Sequence, residues 1–154
     1  MNMKDERQFV GYSKYRSRLV DGHVHTELCP HGSGDRTALM IEKAIELRIE
    51  KVCLTEHAPL PKAFAAEYGG DQKAYDTASL KLNQVDSYLE LGRQLQRAYG
   101  THIDISLGFE VDYIPGFEAD IQEFLDRYGP LTDDNILSVH FMEGVNNAFY
   151  CLDY

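Results

Sequence analysis

No apolar run in this chain approaches the ~20 residues that span a bilayer, so a helical membrane span is not expected. The first residues, Met1-Asn2-Met3-Lys4-Asp5-Glu6-Arg7, lack the apolar core of a signal peptide. Cysteine is scarce: Cys29, Cys53 and Cys151 are three, an odd number without the spacing of a disulfide framework. Reduced thiols in a cytoplasmic protein are the expectation. Basic residues are also in deficit, 15 against 25 acidic ones, for a formal net charge of −10, and they form no cluster. Nucleic-acid binding depends on contacts to phosphate, so a polynucleotide partner is not expected. The acidity reads as solubility, and it requires that any anionic substrate be drawn in by something local, such as bound cations. Absent too are a Gly-x-Ser-x-Gly elbow, a P-loop, a Gly-x-Gly-x-x-Gly turn and paired Cys-x-x-Cys motifs. Neither Cys29 nor Cys53 has a context that marks an activated thiolate. There is no internal repeat and no low-complexity tract.

What remains is an ordinary globular composition, 44% hydrophobic and 26% charged over 154 residues, enough for one domain with its own core. Ser17 to His23 reads as a short strand. A helix follows to Arg48, with Asp35 as its N-cap and Leu39, Met40, Ala44, Ile45 and Leu47 at helical spacing. Lys51 to Thr55 is a second strand, apolar on consecutive positions as buried parallel strands are. Gln72 to Tyr99 predicts one long helix closed by Gly100 at C′. Ile103 to Glu110 is a third strand, Gly116 to Tyr128 a helix ended by Gly129-Pro130, and Ile136 to His140 a fourth strand. The order β-α-β-α-β-α-β implies a parallel α/β sheet, either open or part of a barrel. Both architectures place functional groups beyond the C-terminal ends of the strands.

Histidine and acid collect at those ends: Asp21-Gly22-His23-Val24-His25, Thr55-Glu56-His57, Gly108-Phe109-Glu110 and Ser138-Val139-His140, with His31 shortly after the first. Imidazoles and carboxylates from distant segments are what a site for several divalent ions needs. On an extended segment His23 and His25 project to one side, although a lone His-x-His equally describes exposed or satisfied histidines. His31 is a loop histidine unless its loop folds back over the strand end. Glu56 and His57 must face opposite ways, which favours His57 as a ligand; Glu56, and with it Asp21, is a candidate for orienting a ligand ring or a water. Glu110 could bridge two ions. Asp112, two residues on, could face the same way, but a solvated loop acid describes it better. His140 competes with the reading of a satisfied core histidine, and His102, at the opposite strand end, reads as structural or exposed. Cys29 is a possible soft ligand that a site of imidazole and oxygen does not require.

The runs Asp21-Gly22-His23-Val24-His25-Thr26, Cys29-Pro30-His31-Gly32, Thr55-Glu56-His57-Ala58-Pro59-Leu60-Pro61, Gly108-Phe109-Glu110-Val111-Asp112-Tyr113 and Ile136-Leu137-Ser138-Val139-His140-Phe141 together closely resemble histidinol-phosphate phosphatases of the PHP (polymerase and histidinol phosphatase) superfamily. The resemblance runs from about Val20 onwards. It implies a distorted (β/α)7 TIM-like barrel with up to three divalent ions (Zn, Fe or Mn) at its C-terminal mouth. It maps the metal ligands to His23, His25, His31, His57, Glu110 and His140, and names no catalytic group beyond a water that the ions activate. The family's further histidines and aspartate, from the second half of the barrel, have no counterpart here. Barrels of this kind need roughly 200 residues or more. Residues 1–154 therefore resemble a partial PHP domain, about four βα units of an N-terminal half. The tail Phe149-Tyr150-Cys151-Leu152-Asp153-Tyr154 is expected to form no turn, cap or helix and to reflect truncation.

The implied reaction is metal-dependent hydrolysis of L-histidinol phosphate to L-histidinol and phosphate, in histidine biosynthesis. Two alternatives stand beside it. One is an inactive or partner-dependent metal-binding fragment that self-associates through exposed sheet edges; the other is action on a different phosphoester. Arg16, Arg18 and Arg36 are near enough to contact phosphate, but solvated surface positions describe each of them better.

Overall fold

The computed structural model describes residues 19–146 and 148–152. Expectations for Ser17 and Arg18, Arg16, the N-terminal run and Asp153-Tyr154 lie outside the described residues. The elements run β1 (Val20–Val24), α1 (Thr37–Glu46), β2 (Lys51–His57), α2 (Gln72–Thr77), α3 (Val85–Tyr99), β3 (Asp104–Asp112), α4 (Glu118–Tyr128), β4 (Ile136–Ser138), β5 (Phe141–Glu143) and β6 (Phe149–Cys151). The first four strands form one parallel sheet in the order β1-β2-β3-β4, and β5 and β6 form an antiparallel hairpin. A doubly wound sheet would reverse its strand order at a switch point. Here sequence neighbours stay spatial neighbours, as they do around a barrel. Among the described residues no helix is long and apolar enough to cross a membrane.

β2 and β3 are the centre of the sheet, paired without a shift from Lys51↔Asp104 to His57↔Glu110. Strict alternation along β3 sends Ile105, Leu107, Phe109 and Val111 to one face and Ser106, Gly108, Glu110 and Asp112 to the other. The apolar set packs under α3 and α4, where Phe109 meets Tyr88 and Phe124 at ring-centroid distances of 5.1 Å each. β1 carries a bulge between Asp21 and Val24, which breaks the alternation in the stretch that holds His23.

Several boundaries depart from the sequence reading. The long helix is two: after Thr77 the chain leaves helical geometry, Ser79 and Leu80 are buried, and the Leu80 N–H donates to the His57 carbonyl. Tertiary pairing with the end of β2 overrides the helical pattern. Gly100 has ordinary right-handed geometry at the C-cap (φ −61°) and is not a left-handed C′ glycine. Asp35 does not cap α1; its carboxylate accepts from the Ser33 hydroxyl. The start of α1 is held by Glu27 instead, which accepts from the Thr37 N–H while its own N–H donates to the Thr37 hydroxyl. Two residues past the end of α1, Arg48 turns the chain with a φ of 60°. The tail supplies strand β6. Phe141 and Phe149 of the hairpin pack edge-on against Phe64, at 5.0 and 5.3 Å between centroids. The Phe149 N–H donates to the Glu67 carbonyl.

Tyr88 fixes α3 to the sheet directly below the strand ends. Its hydroxyl is fully buried, lies 3.0 Å from the Leu54 carbonyl and within hydrogen-bond reach of the Gly108 carbonyl, and accepts from the Glu56 N–H. Tyr88→Phe is expected to cost about 1–2 kcal/mol in urea unfolding, because backbone groups at the β2/β3 junction lose a buried partner.

Candidate metal centre

The in-register pairing of β2 with β3 places His57 beside Glu110 at the last rung of the ladder. From the other strand ends, three more imidazoles reach the same carboxylate. Glu110 Oε2 lies 2.7 Å from His23 Nε2 and 3.4 Å from both His25 Nε2 and His57 Nδ1. Its other oxygen, Oε1, lies 3.3 Å from His140 Nε2. The rings form a continuous cluster: His25 stacks on His57 at 4.4 Å, His31 sits 5.0 Å from His57, and His140 meets His57 edge-on at 5.3 Å. The loop after β1 does fold back, bringing His31 in; its Nδ1 lies 2.7 Å from the Thr77 carbonyl at the end of α2, which leaves Nε2 with the lone pair. All six residues mapped as ligands are thus in one place.

Glu56 and His57 do face opposite sides, and Glu56 is fully buried. Its carboxylate accepts from the Thr26 N–H and hydroxyl, at 2.9 and 2.7 Å, and lies 3.2 Å from His25 Nδ1. It therefore orients the His25 ring. Asp21 is not part of the cluster. The bulge in β1 turns it away, and it lies exposed in a groove with Asp35, Leu39 and Lys43 beside α1. Arg36 is exposed ahead of α1 and His102 is exposed at the far end of the sheet.

Asp112 corrects the sequence reading. Far from being a solvated loop acid, it is the last residue of β3, 6% exposed, with its Oδ1 2.9 Å from His140 Nδ1. The signal was the i, i+2 spacing from Glu110, which holds because the strand continues past Glu110. Cys29 is buried close to His25 and Glu56, near enough that the three could share one ion. A cavity of about 220 Å³ opens beside the cluster between His31, His57, Asp112 and His140, walled by Phe141 and Cys151. The hairpin thus builds one side of the site, which the sequence reading missed. A roomier groove of about 380 Å³ near Leu60, Tyr75 and Phe124 has no histidine on its walls.

The electrostatics of the cluster call for cations. Burial acts to raise the Glu110 pKa, but the adjacent His25, His57 and His23 outweigh it and hold the carboxyl down at about 2. Burial opposes charge on His25, yet hydrogen bonds to Cys29, Glu110 and Glu56 push it up to about 11, so that in the metal-free protein a proton occupies the place of a cation. His57 is held neutral: burial, reinforced by the neighbouring histidines, lowers it to about 4 against the pull of Glu110. Its Nδ1 is buried without a hydrogen-bond partner, 3.4 Å from Glu110 Oε2. An ionised carboxylate ringed by imidazoles, one of them with an orphaned ring nitrogen, fits divalent metal. Among the described residues three groupings could each hold an ion: His23-His25-Glu110, His25-Cys29-Glu56 and His57-Asp112-His140.

Comparison with known proteins agrees with this geometry. A PHP domain matches residues 21–153. The chain is 42% identical over 134 residues to a histidinol-phosphatase of Bacillus subtilis, covering 87% of this chain and 48% of that protein. It is 28% identical over 138 residues to a protein of Deinococcus radiodurans named a probable histidinol-phosphatase, again covering 48% of the relative. A solved structure from Listeria monocytogenes, assigned as a histidinol phosphatase, superposes with a TM-score of 0.85 at 41% identity, over 88% of this chain and 49% of that one. The chain spans about half the length of the curated relatives it matches. Its four-stranded parallel sheet corresponds to the N-terminal half of a TIM-like barrel.

Proposed function

The chain belongs to the PHP domain family, and on that footing we propose that it carries the metal-holding part of a phosphomonoesterase site. The substrate we assign is L-histidinol phosphate, hydrolysed to L-histidinol and phosphate in histidine biosynthesis. The observation that carries this reading is the convergence of His23, His25, His57 and His140 on Glu110 at the ends of four strands. These residues and His31 would hold two or three ions of Zn, Fe or Mn, and Glu56 would fix the His25 ring. Bound divalent ions would supply an activated water and a clamp on the phosphate oxygens. The protein's own part is to hold the imidazoles oriented, and to offer the neighbouring cavity to the rest of the substrate. Cations at that mouth also answer how a chain of formal charge −10 attracts a phosphate ester. We place the protein in the cytoplasm, acting on a small phosphate ester, without a nucleic-acid or membrane partner.

A second reading is favoured by length. Because the chain spans about half of its curated relatives, we propose that on its own it binds metal but turns over weakly, and that it self-associates. Among the described residues the outer strands β1 and β4 each pair along one edge only, with Val20 50% and Leu137 67% exposed. The test is metal analysis, sedimentation and phosphate release from L-histidinol phosphate, on this chain alone and mixed with the second half of the Bacillus subtilis relative. Metal binding with slow turnover that the added half raises at least tenfold supports the proposal. Fast turnover by a monomer of this chain sinks the second reading, and a metal-free protein sinks both.

A further inference from the structure

Two of the clustered histidines are held from behind in the same way. Glu56 lies 3.2 Å from His25 Nδ1, and His25 presents Nε2 to Glu110 Oε2. Asp112 lies 2.9 Å from His140 Nδ1, and His140 presents Nε2 to Glu110 Oε1. The two arrangements flank the central carboxylate, one on each oxygen. In the second, the same Asp112 oxygen also accepts from the His140 backbone N–H at 3.1 Å and from the Ser138 hydroxyl at 3.3 Å. An oxygen that accepts from a main-chain N–H has its lone pairs turned toward that side, so the ring Nδ1 beside it is the donor. With Nδ1 donating to Asp112, Nε2 is the nitrogen that faces Glu110. His140 lies between two short strands, just past β4, where the ladder no longer fixes it. Its carbonyl accepts from the Leu152 N–H at 2.7 Å, and Asp112, buried at the end of the longer β3, holds its N–H and its ring.

We propose that Asp112 is a positioning residue: by accepting from both the backbone and the ring of His140, it fixes the tautomer and aim of that imidazole toward Glu110. It does not itself bind metal. Partners that orient a ligand histidine in this way typically matter about 10–100-fold in metal affinity. The inference rests on the metal-site reading above, but its first measurement does not need metal. In the metal-free chain, nitrogen-15 NMR of the imidazoles is expected to show His140 protonated at Nδ1. In Asp112→Ala it should shift to the Nε2–H form or a mixture, with the backbone spectrum otherwise preserved. Zinc titration against a competing chelator should then show Asp112→Ala weaker by about 10–100-fold. Asp112→Asn, whose amide oxygen still accepts from Nδ1, should keep the tautomer and lose less affinity; it also serves if the alanine variant does not fold. An unchanged tautomer in both variants overturns the proposal. So does equal loss of one whole zinc ion in both, which would make Asp112 a ligand. Failure of the wild-type chain to bind zinc, with the tautomer result intact, would strike the metal reading and leave the positioning role standing.

Discussion

Glu110→Gln is expected to remove most of the bound metal from this protein, lowering zinc affinity on the order of 100-fold or more. Among the described residues it is the one carboxylate within 3.4 Å of four imidazoles, with His23 on Oε2 at 2.7 Å and His140 on Oε1 at 3.3 Å. Glutamine preserves the shape but replaces one acceptor with an NH2 donor aimed at imidazole lone pairs, so a contact that gathers cations becomes one that competes with them. The same substitution should change the acid limb of stability in the metal-free protein. The folded Glu110 pKa is about 2 against an ordinary 4.5. A carboxylate depressed in this way contributes stability above the unfolded value and loses it as pH falls from 4.5 toward 2. His57 adds a second loss at higher pH: lowered from 6.5 to about 4, it takes up a proton more readily unfolded than folded, so stability also falls with pH across that interval. Urea unfolding at pH 7, 5 and 3 separates the two. In Glu110→Gln the decline below pH 4.5 should flatten while the one above it persists, and stability at pH 7 should drop by about 1.5–3 kcal/mol, the worth of hydrogen bonds to a charged group. A variant with wild-type zinc affinity would remove Glu110 from the centre of the site.

The parts of this site legible in the sequence were those fixed by local periodicity. Parallel strands with apolar cores could be recognised from Lys51 to Thr55 and Ile103 to Glu110 because buried positions run on consecutively or alternate, and the strand-end rule then located His57 and Glu110. What the sequence did not show was set by partners far along the chain. Asp112 looks solvated from its neighbours alone; its burial depends on β4 pairing beside it and on His140, 28 residues later, donating to it. The helical pattern from Gln72 to Tyr99 is continuous, and only the contact of Leu80 with the end of β2 explains its interruption. Asp21 stands apart from the cluster for a different reason: the bulge that follows it in β1 lies between it and the histidines further along. The hairpin of β5 and β6 was invisible because its anchor, Phe64, sits in a short turn with no periodicity of its own.

Gly108→Ala should be the most damaging single-methyl change in the molecule. A Cβ at that position would run into the backbone carbonyl oxygen of Asp134, in the loop that enters β4. Neither side can give way. β3 is locked to β2 through seven consecutive pairs. On its other edge the Leu107 N–H donates to the Asp133 carboxylate and the Phe109 N–H to the Asn135 side chain, both at 2.9 Å. Those two side chains complete the edge of β3 that β4, starting only at Ile136, is too short to cover. The loop must therefore lie flat against Gly108, and relief of the clash would break the contacts that set Glu110 opposite Ile136 and Asp112 opposite Ser138. We expect a loss of more than about 4 kcal/mol, the range in which overpacking joins broken buried hydrogen bonds, and hence insoluble protein or a chain without a cooperative melt. Gly116→Ala is the control. Gly116 has a φ of +88° but open space where a Cβ would be, so only backbone strain of about 1 kcal/mol applies. That corresponds to a melting temperature lower by roughly 2–4 °C. Soluble Gly108→Ala protein with a melt like that of Gly116→Ala would mean that the Asp134 loop is not seated on β3. The placement of His140 beside Glu110, which that loop delivers, would then have to be drawn again.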